Sequence, residues 1–230
     1  MLNKEIKSIL EMSKQWGWVL EPDAKRIFSL AGFQTPKFAV AKKAEEAVAA
    51  ARKIGYPVVA KIVSPEIIHK SDVKGVVVGI KDDERLVAVL ERFRKLPGFA
   101  GMLIDEMAAG VELIIGAKND VQFGPMILLG FGGVGVEIYK DVSLRMAPLS
   151  NAHVEGMMRE LKAYPMLTGY RGAKPVNISA IQKTLIRFSK LMMDMKDYFE
   201  SVDLNPVMCS DKSCTIVDAR IMLKNPRSNI

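Results

Sequence analysis

"GMLIDEMAAGVELIIGAKNDVQFGPMILLGFGGVGVEIYKDVSLRMAPL", residues 101–149, is the stretch on which the fold turns. Five apolar runs follow one another in it: "GMLIDEMA", "VELIIGAKN", "GPMILLGFGG", "VGVEIYKD" and "SLRMAPL". Only turns separate them. Runs this short, with glycine and aspartate between them, read as consecutive strands, most simply of one antiparallel sheet.

The residues before this stretch follow another rhythm. Ile6, Ile9, Leu10 and Trp16 predict an amphipathic helix over 3–17. "EPDAKRIFSLAGF" predicts a second, with Pro22 in its first turn and Gly32 at its end. "KFAVA" is a short strand, "KAEEAVAAARKIGY" an alanine-rich helix closed by Gly55, and "VVAKIV" and "GVVVGI" are strands. A helix over 82–95 completes an α/β alternation. After residue 149, helices are expected in "NAHVEGMMREL" and over 178–195, and strands in "SVDLNPVMC" and "CTIVDARI". The change of rhythm at Pro97–Gly98 suggests two lobes, residues 1–98 and 99–230, with a cleft between them.

Composition narrows the function classes. The chain has 230 residues, 49% hydrophobic and 26% charged, as in ordinary globular proteins. Its start is charged and helical in period, so neither a secretory signal nor a membrane span is expected, and a cytosolic setting is. A net charge of +7 favours polyanionic partners such as nucleotides or coenzyme A. Nucleic acid is not expected, because the lysines are scattered and only 7% of residues are aromatic. Cys209 and Cys214 bracket "SDKS" in a hairpin; a reduced pair is favoured in a cytosol, although hyperthermophiles do form such disulfides.

Several residues carry chemistry. Lys61 stands inside a buried strand, where an ammonium needs an anion such as phosphate, unless the strand is an edge. His69 lies in the polar loop "SPEIIHKSDVKG"; a solvated imidazole is the plain alternative. Glu106 and Glu112 flank a strand junction, where carboxylates can accept from ribose hydroxyls. Gly130, Gly132, Gly133 and Gly135 let backbone amides approach a phosphate, although they match neither a P-loop nor a dinucleotide fingerprint. Arg145 could reach the same anion. Asn205 of "DLNPV" and Asp218 of "VDARI" fall on neighbouring strands and are the hard oxygen ligands that Mg²⁺ takes. A structural Asn-Pro turn and a surface aspartate would explain them equally.

The order of strand lysine, hinge glutamates, glycine-rich hairpin, "LNPV" and "VDARI" resembles the ATP-grasp fold, an α/β architecture of two lobes with nucleotide in the cleft. More narrowly, "KIVSPEIIHKSDVKGVVVGI", "GVELIIGAKNDVQFGPMILLGFGGVGVEIYKDVSLRMAPL" and "YPMLTGYRG" resemble the β subunit of ADP-forming acyl-CoA synthetases, in the succinyl-CoA synthetase superfamily. The resemblance implies a ligase that interconverts acyl-CoA, ADP and phosphate with acid, CoA and ATP. It implies His69 as a phosphohistidine relay, which Asp72 could orient. Lys61 and Arg145 would face phosphates with Gly132 and Gly133. Glu106 and Met107 would line the adenine hinge, and Glu112 would bind ribose. Asn205, Asp218 and Glu137 would hold Mg²⁺. His153 reads as structural, and "TGYRG" (168–172) as a phosphate or subunit contact or a simple turn. No CoA-binding region is seen, so a CoA-binding α subunit is the expected partner, in an α2β2 assembly. The rival readings are a non-catalytic nucleotide-sensing module and a stand-alone carboxylate–amine ligase.

Overall fold

The computed structural model describes residues 2–133, 141–172 and 174–224. Chain contacts divide it into two units, Pro36–Ala108 and the remainder, Met1–Thr35 with Ala109–Ile230.

The larger unit begins with α1 (Lys4–Ser13), β1 (Trp18–Val19) and α2 (Glu21–Leu30). The Asn3 side chain caps α1 by accepting from the Glu5 N–H. Helix α1 stops short of Trp16, which stands in a 3-10 turn and is exposed, while Trp18 is buried in β1.

The chain then builds the smaller unit from β2 (Phe38–Ala41), α3 (Ala44–Ile54), β3 (Val58–Val63), β4 (Val76–Ile80), α4 (Asp83–Phe93) and β5 (Gly101–Glu106). Its sheet runs β2-β5-β3-β4, with all pairings antiparallel. Alternation in the strands sets two faces. Val58, Ala60, Ile62, Met102 and Ile104 meet Ala47, Ala51, Leu86, Leu90 and Phe93 from the two helices in one core. Val59, Lys61 and Val63 therefore stand on the opposite face, yet every residue of β3 is buried.

Here the structure corrects the lobe boundary read from the sequence. The sequence pattern groups β5 with the strands that follow it and so places the division at 98/99. Instead β5 lies between β2 and β3, with Ala39 and Ala60 each opposite Ile104. The divisions fall at 35/36 and 108/109. Period-2 patterning identifies a strand but not the sheet that receives it.

The larger unit resumes with β6 (Val111–Asp120), β7 (Gly124–Phe131), β8 (Val142–Met146), α5 (Asn151–Glu160), α6 (Ile178–Met195), β9 (Phe199–Cys209), β10 (Cys214–Ile216) and β11 (Arg220–Leu223). The expected strand over "VGVEIYKD" falls almost wholly outside the described residues. Among the described residues, seven strands form one sheet, ordered β1-β11-β9-β6-β7-β8, with β10 also on β9. Leu113, Ile115, Ile127, Leu129, Leu204 and Val207 bury one face against Met157, Phe188 and Met192 of α5 and α6. Phe28 packs edge-on to Phe33 at 5.5 Å and stacks with Phe188 at 6.3 Å, which joins α2 to the same core.

Cys209 and Cys214 are directly opposed in the β9–β10 register, Cα atoms 4.2 Å apart, and are joined as a disulfide, where the sequence favoured a reduced pair. Facing positions on adjacent strands bring the sulfurs together regardless of compartment. Among the described residues no helix is long and apolar enough to cross a membrane.

Candidate active site

His69 stands exposed in the connection between β3 and β4. The root of that connection is fixed: the Ser64 hydroxyl donates to the Pro97 carbonyl at 2.8 Å and accepts from the Glu66 N–H at 3.1 Å. Ile67 is buried in the core of the smaller unit and Val73 packs against it. The segment between them is a series of tight turns, with Asp72 N–H donating to the His69 carbonyl, Lys74 N–H to Ser71 and Gly75 N–H to Lys70. Gly75 is required, because a Cβ there would meet the Lys70 carbonyl oxygen at 2.9 Å. Two apolar anchors thus hold a short polar arch, and the imidazole is on it.

Lys61 is buried, and its Nζ lies 3.1 Å from Oδ2 of Asp105, which is fully buried. Both project from the same face, since Val59 opposes Asp105 and Lys61 opposes Leu103. An anion does meet the strand lysine, and it comes from the protein itself. The sequence signal for it is an aspartate in the middle of "MLIDEM", next to the more conspicuous Glu106. Glu106 in turn is held by Lys37. Its Oε2 accepts from the Lys37 N–H at 3.2 Å, its N–H donates to the Lys37 carbonyl at 2.9 Å, and the Lys37 ammonium is 3.8 Å from Oε1. Met107, the next residue, is exposed.

In the larger unit, Glu112, Asn205 and Asp218 come to one face of the sheet, the one without helices. Glu112 opposes Met208, and its neighbours Leu113 and Ile115 point into the core. Between Leu113 and Ile115 the pairing with β9 shifts from Val207 to Leu204, so Asn205 and Pro206 form a bulge. A bulge re-aims the side chain it carries, and Asn205 is exposed there. Asp218 follows from both flanks. Ile216 opposes Val207 and Arg220 opposes Asp203, so Asp218 falls level with Asn205. The Val217 N–H donates to the Pro206 carbonyl at 3.1 Å and holds that alignment. Arg220 pairs with Asp203 at 3.2 Å beside it.

Gly132 and Gly133 lie over Glu112. The Gly132 N–H donates to the Glu112 carbonyl at 2.7 Å. A Cβ at Gly132 would stand 2.9 Å from the Glu112 Cβ and 3.3 Å from its backbone. Gly132→Ala is therefore expected to displace Glu112 and cost about 1–3 kcal/mol of stability, read by denaturant unfolding; an unchanged midpoint would mean the turn opens freely.

Arg145 does not join this group. It opposes Ile127, a core residue, and so lies on the helix-covered face. There its guanidinium binds the Glu160 carboxylate of α5, and Ser143 Oγ donates to Glu160 at 2.5 Å. The Arg145 hydrogen bond, with that of Ser143 second, holds the Glu160 carboxyl below the usual range. A strand arginine faces one side or the other by register alone, and no local pattern sets the register of β8. His153 closes a reciprocal cap on α5: its N–H donates to Ser150 Oγ at 3.2 Å, and the Ser150 N–H donates to Nδ1 at 3.3 Å. Glu137 lies outside the described residues. In "TGYRG", Arg171 has φ 52° and stacks over Tyr170 at 5.2 Å, so the stretch is an irregular exposed turn.

Asn205 and Asp218 supply one amide oxygen and one carboxylate. Among the described residues no group of three or more His, Cys, Asp or Glu side chains could cage a metal. Two hard donors suit an ion such as Mg²⁺ that keeps its waters and arrives with substrate phosphates.

The ATP-grasp domain family matches residues 11–223. The chain is 44% identical over 216 residues to the β subunit of ADP-forming acetate–CoA ligase I from Pyrococcus furiosus, covering 89% of this chain and 91% of that one. It is similar, with a TM-score of 0.88 and 43% identity, to the dinucleotide forming acetyl-coenzyme A synthetase 1 of Ca. Korarchaeum cryptofilum in complex with coenzyme A and Ca-AMPCP, covering 95% of this chain and 99% of that one. A second structure of that protein, at TM-score 0.83 and 41% identity, covers 95% of this chain and 100% of its own; it holds coenzyme A and Mg-AMPPCP, its phosphohistidine segment pointing towards the nucleotide binding site. With likeness running almost end to end, the chain belongs to the ATP-grasp family, among the β subunits of ADP-forming acetate–CoA ligases.

Proposed function

We propose that this chain is the nucleotide-binding subunit of an ADP-forming acyl-CoA synthetase and that His69 carries phosphate within it. The observation that supports this most is the anchored arch between Ile67 and Val73, which offers an exposed imidazole on an otherwise fixed loop. A neutral imidazole nitrogen attacks phosphorus, and the N–P bond forms as the donor's P–O bond breaks. The N–P bond then breaks as the terminal phosphate oxygen of ADP takes the phosphoryl group, giving ATP and free imidazole. Dividing the transfer this way replaces one long displacement by two short in-line ones.

In the smaller unit Lys61, Glu106 and Met107 would be nucleotide contacts, and in the larger unit Glu112, Gly132 and Gly133 would be. Lys61 would meet phosphate while keeping Asp105 as its resting counter-ion. Arg145 would act at a distance, as a brace between β8 and α5. Asn205 and Asp218 would hold Mg²⁺, which shields the phosphate charges. Asn205→Ala and Asp218→Ala are each expected to weaken Mg-ADP binding by about 1–3 kcal/mol, the loss of a contact to a charged group. Calorimetric titration tests this, and wild-type affinity in both variants would remove them from the site.

The acyl and CoA chemistry would reside on a separate α subunit, and the working enzyme would be a cytosolic α2β2 assembly. Co-expression and sizing test that: two separate peaks at micromolar concentration, without synthetase activity in the mixture, would refute it.

A further inference from the structure

The helix-covered side of the larger unit carries a cavity of about 270 Å³ that the proposed chemistry does not use. Its walls come from the segment after α2, the first half of α6 and the tip of the β9–β10 hairpin. These segments are tied by main-chain and side-chain hydrogen bonds. Asn177 N–H donates to Ser210 O at 2.9 Å, Asn177 Nδ2 to Lys212 O at 3.1 Å, and Ile216 N–H to Gln34 O at 2.9 Å. The Arg187 guanidinium donates to the Gly32 carbonyl and lies over the Phe33 ring at 5.8 Å. The Cys209–Cys214 disulfide closes the hairpin that supplies Lys212.

Three cations, Lys183, Arg187 and Lys212, line this cavity, together with the hydroxyl-bearing Ser179, Thr184 and Ser213, and among the described residues no carboxylate lines it. Lys183 and Arg187 are one helical turn apart, a like-charge spacing that is unfavourable on a bare helix. A solvated basic stripe would explain those two. It does not explain why a second element, wired to α6 through Asn177, adds Lys212 to the same concavity.

We propose that this cavity binds a small oxyanion of the phosphate class carrying two or more negative charges. Charge-assisted hydrogen bonds from lysine and arginine are the strong ones for such a group. The volume is below the roughly 300–1,000 Å³ of sites for drug-sized ligands, so it takes a phosphate or diphosphate group but not a whole nucleotide. The group could be free or be the diphosphate of a larger cofactor.

The test is calorimetric titration of the folded chain at low ionic strength without divalent metal, using inorganic pyrophosphate, ADP and coenzyme A in separate runs. Pyrophosphate is expected to bind, and Lys212→Glu and the double variant Lys183→Glu/Arg187→Glu are each expected to weaken it by about tenfold or more. Asn205→Ala and Asp218→Ala are expected to leave it unchanged, which separates this site from the proposed nucleotide face. All five substitutions fall at exposed or half-exposed positions, and thermal melts confirm that each variant folds. If only coenzyme A or ADP shows the variant-dependent loss, the occupant is the diphosphate of the larger molecule. No binding of any probe, or binding that Lys212→Glu and the double variant both keep, overturns the proposal.

Discussion

His69→Ala is expected to reduce overall acyl-CoA synthetase turnover, assayed with the α partner, by several orders of magnitude while changing stability by under about 0.5 kcal/mol. The two halves of this expectation rest on different observations. Stability should hold because the arch is kept in place by Ile67, Val73 and backbone turns, and His69 is exposed. Turnover should fall because alanine offers no nucleophile to phosphorus. Incubation with γ-labelled ATP and Mg²⁺ should leave acid-labile, alkali-stable label on the wild type and none on the variant. Equal labelling of both would move the phosphate site elsewhere, and full activity in the variant would end the relay reading.

The second large effect is expected at the buried pair. Asp105→Ala removes the buried carboxylate 3.1 Å from the Lys61 ammonium, and losing one member of a buried ion pair costs about 3–5 kcal/mol. Replacing both members by apolar residues of similar size, as in Lys61→Met/Asp105→Leu, should recover most of that loss, because neither charge then needs compensation. Denaturant unfolding reads the stability of each. The double variant also separates two roles of Lys61. If it is stable and still binds Mg-ADP like the wild type, the lysine is structural only. If it is stable and binds nucleotide weakly, Lys61 serves the phosphates as well.

The sequence disclosed the elements well and their partnerships less well. Helix α6 lies where its apolar period put it, and β3, β4 and α4 fall within the segments expected. The order of motifs pointed to the ATP-grasp family, to which the chain belongs. What remained hidden depended on register. Whether β5 joins β3 or β6, and which face Arg145 takes, follow from hydrogen-bond pairing between distant segments, and no local pattern encodes that. The β9–β10 hairpin is local enough for sequence to imply its pairing, and Ile216 does face Val207 there. Asp105 is not legible in the same way, because a carboxylate inside an apolar strand reads as an interruption unless the lysine across the sheet is known.

The division of the chain also governs the order in which the protein can form during synthesis. The smaller unit is an uninterrupted segment whose first and last strands, β2 and β5, are paired neighbours, Phe38 against Asp105. Everything it needs has been made once residue 108 is free of the ribosome, so it can complete its core at once. The larger unit cannot. Strand β1, made before the smaller unit, pairs with β11, made well after it: Trp18 with Met222 and Val19 with Ile221. Helices α1 and α2 must keep their apolar faces waiting until β11 has been made. An inserted unit that is already folded shortens that wait, because it brings its two ends together and so turns a long closing loop into a short one.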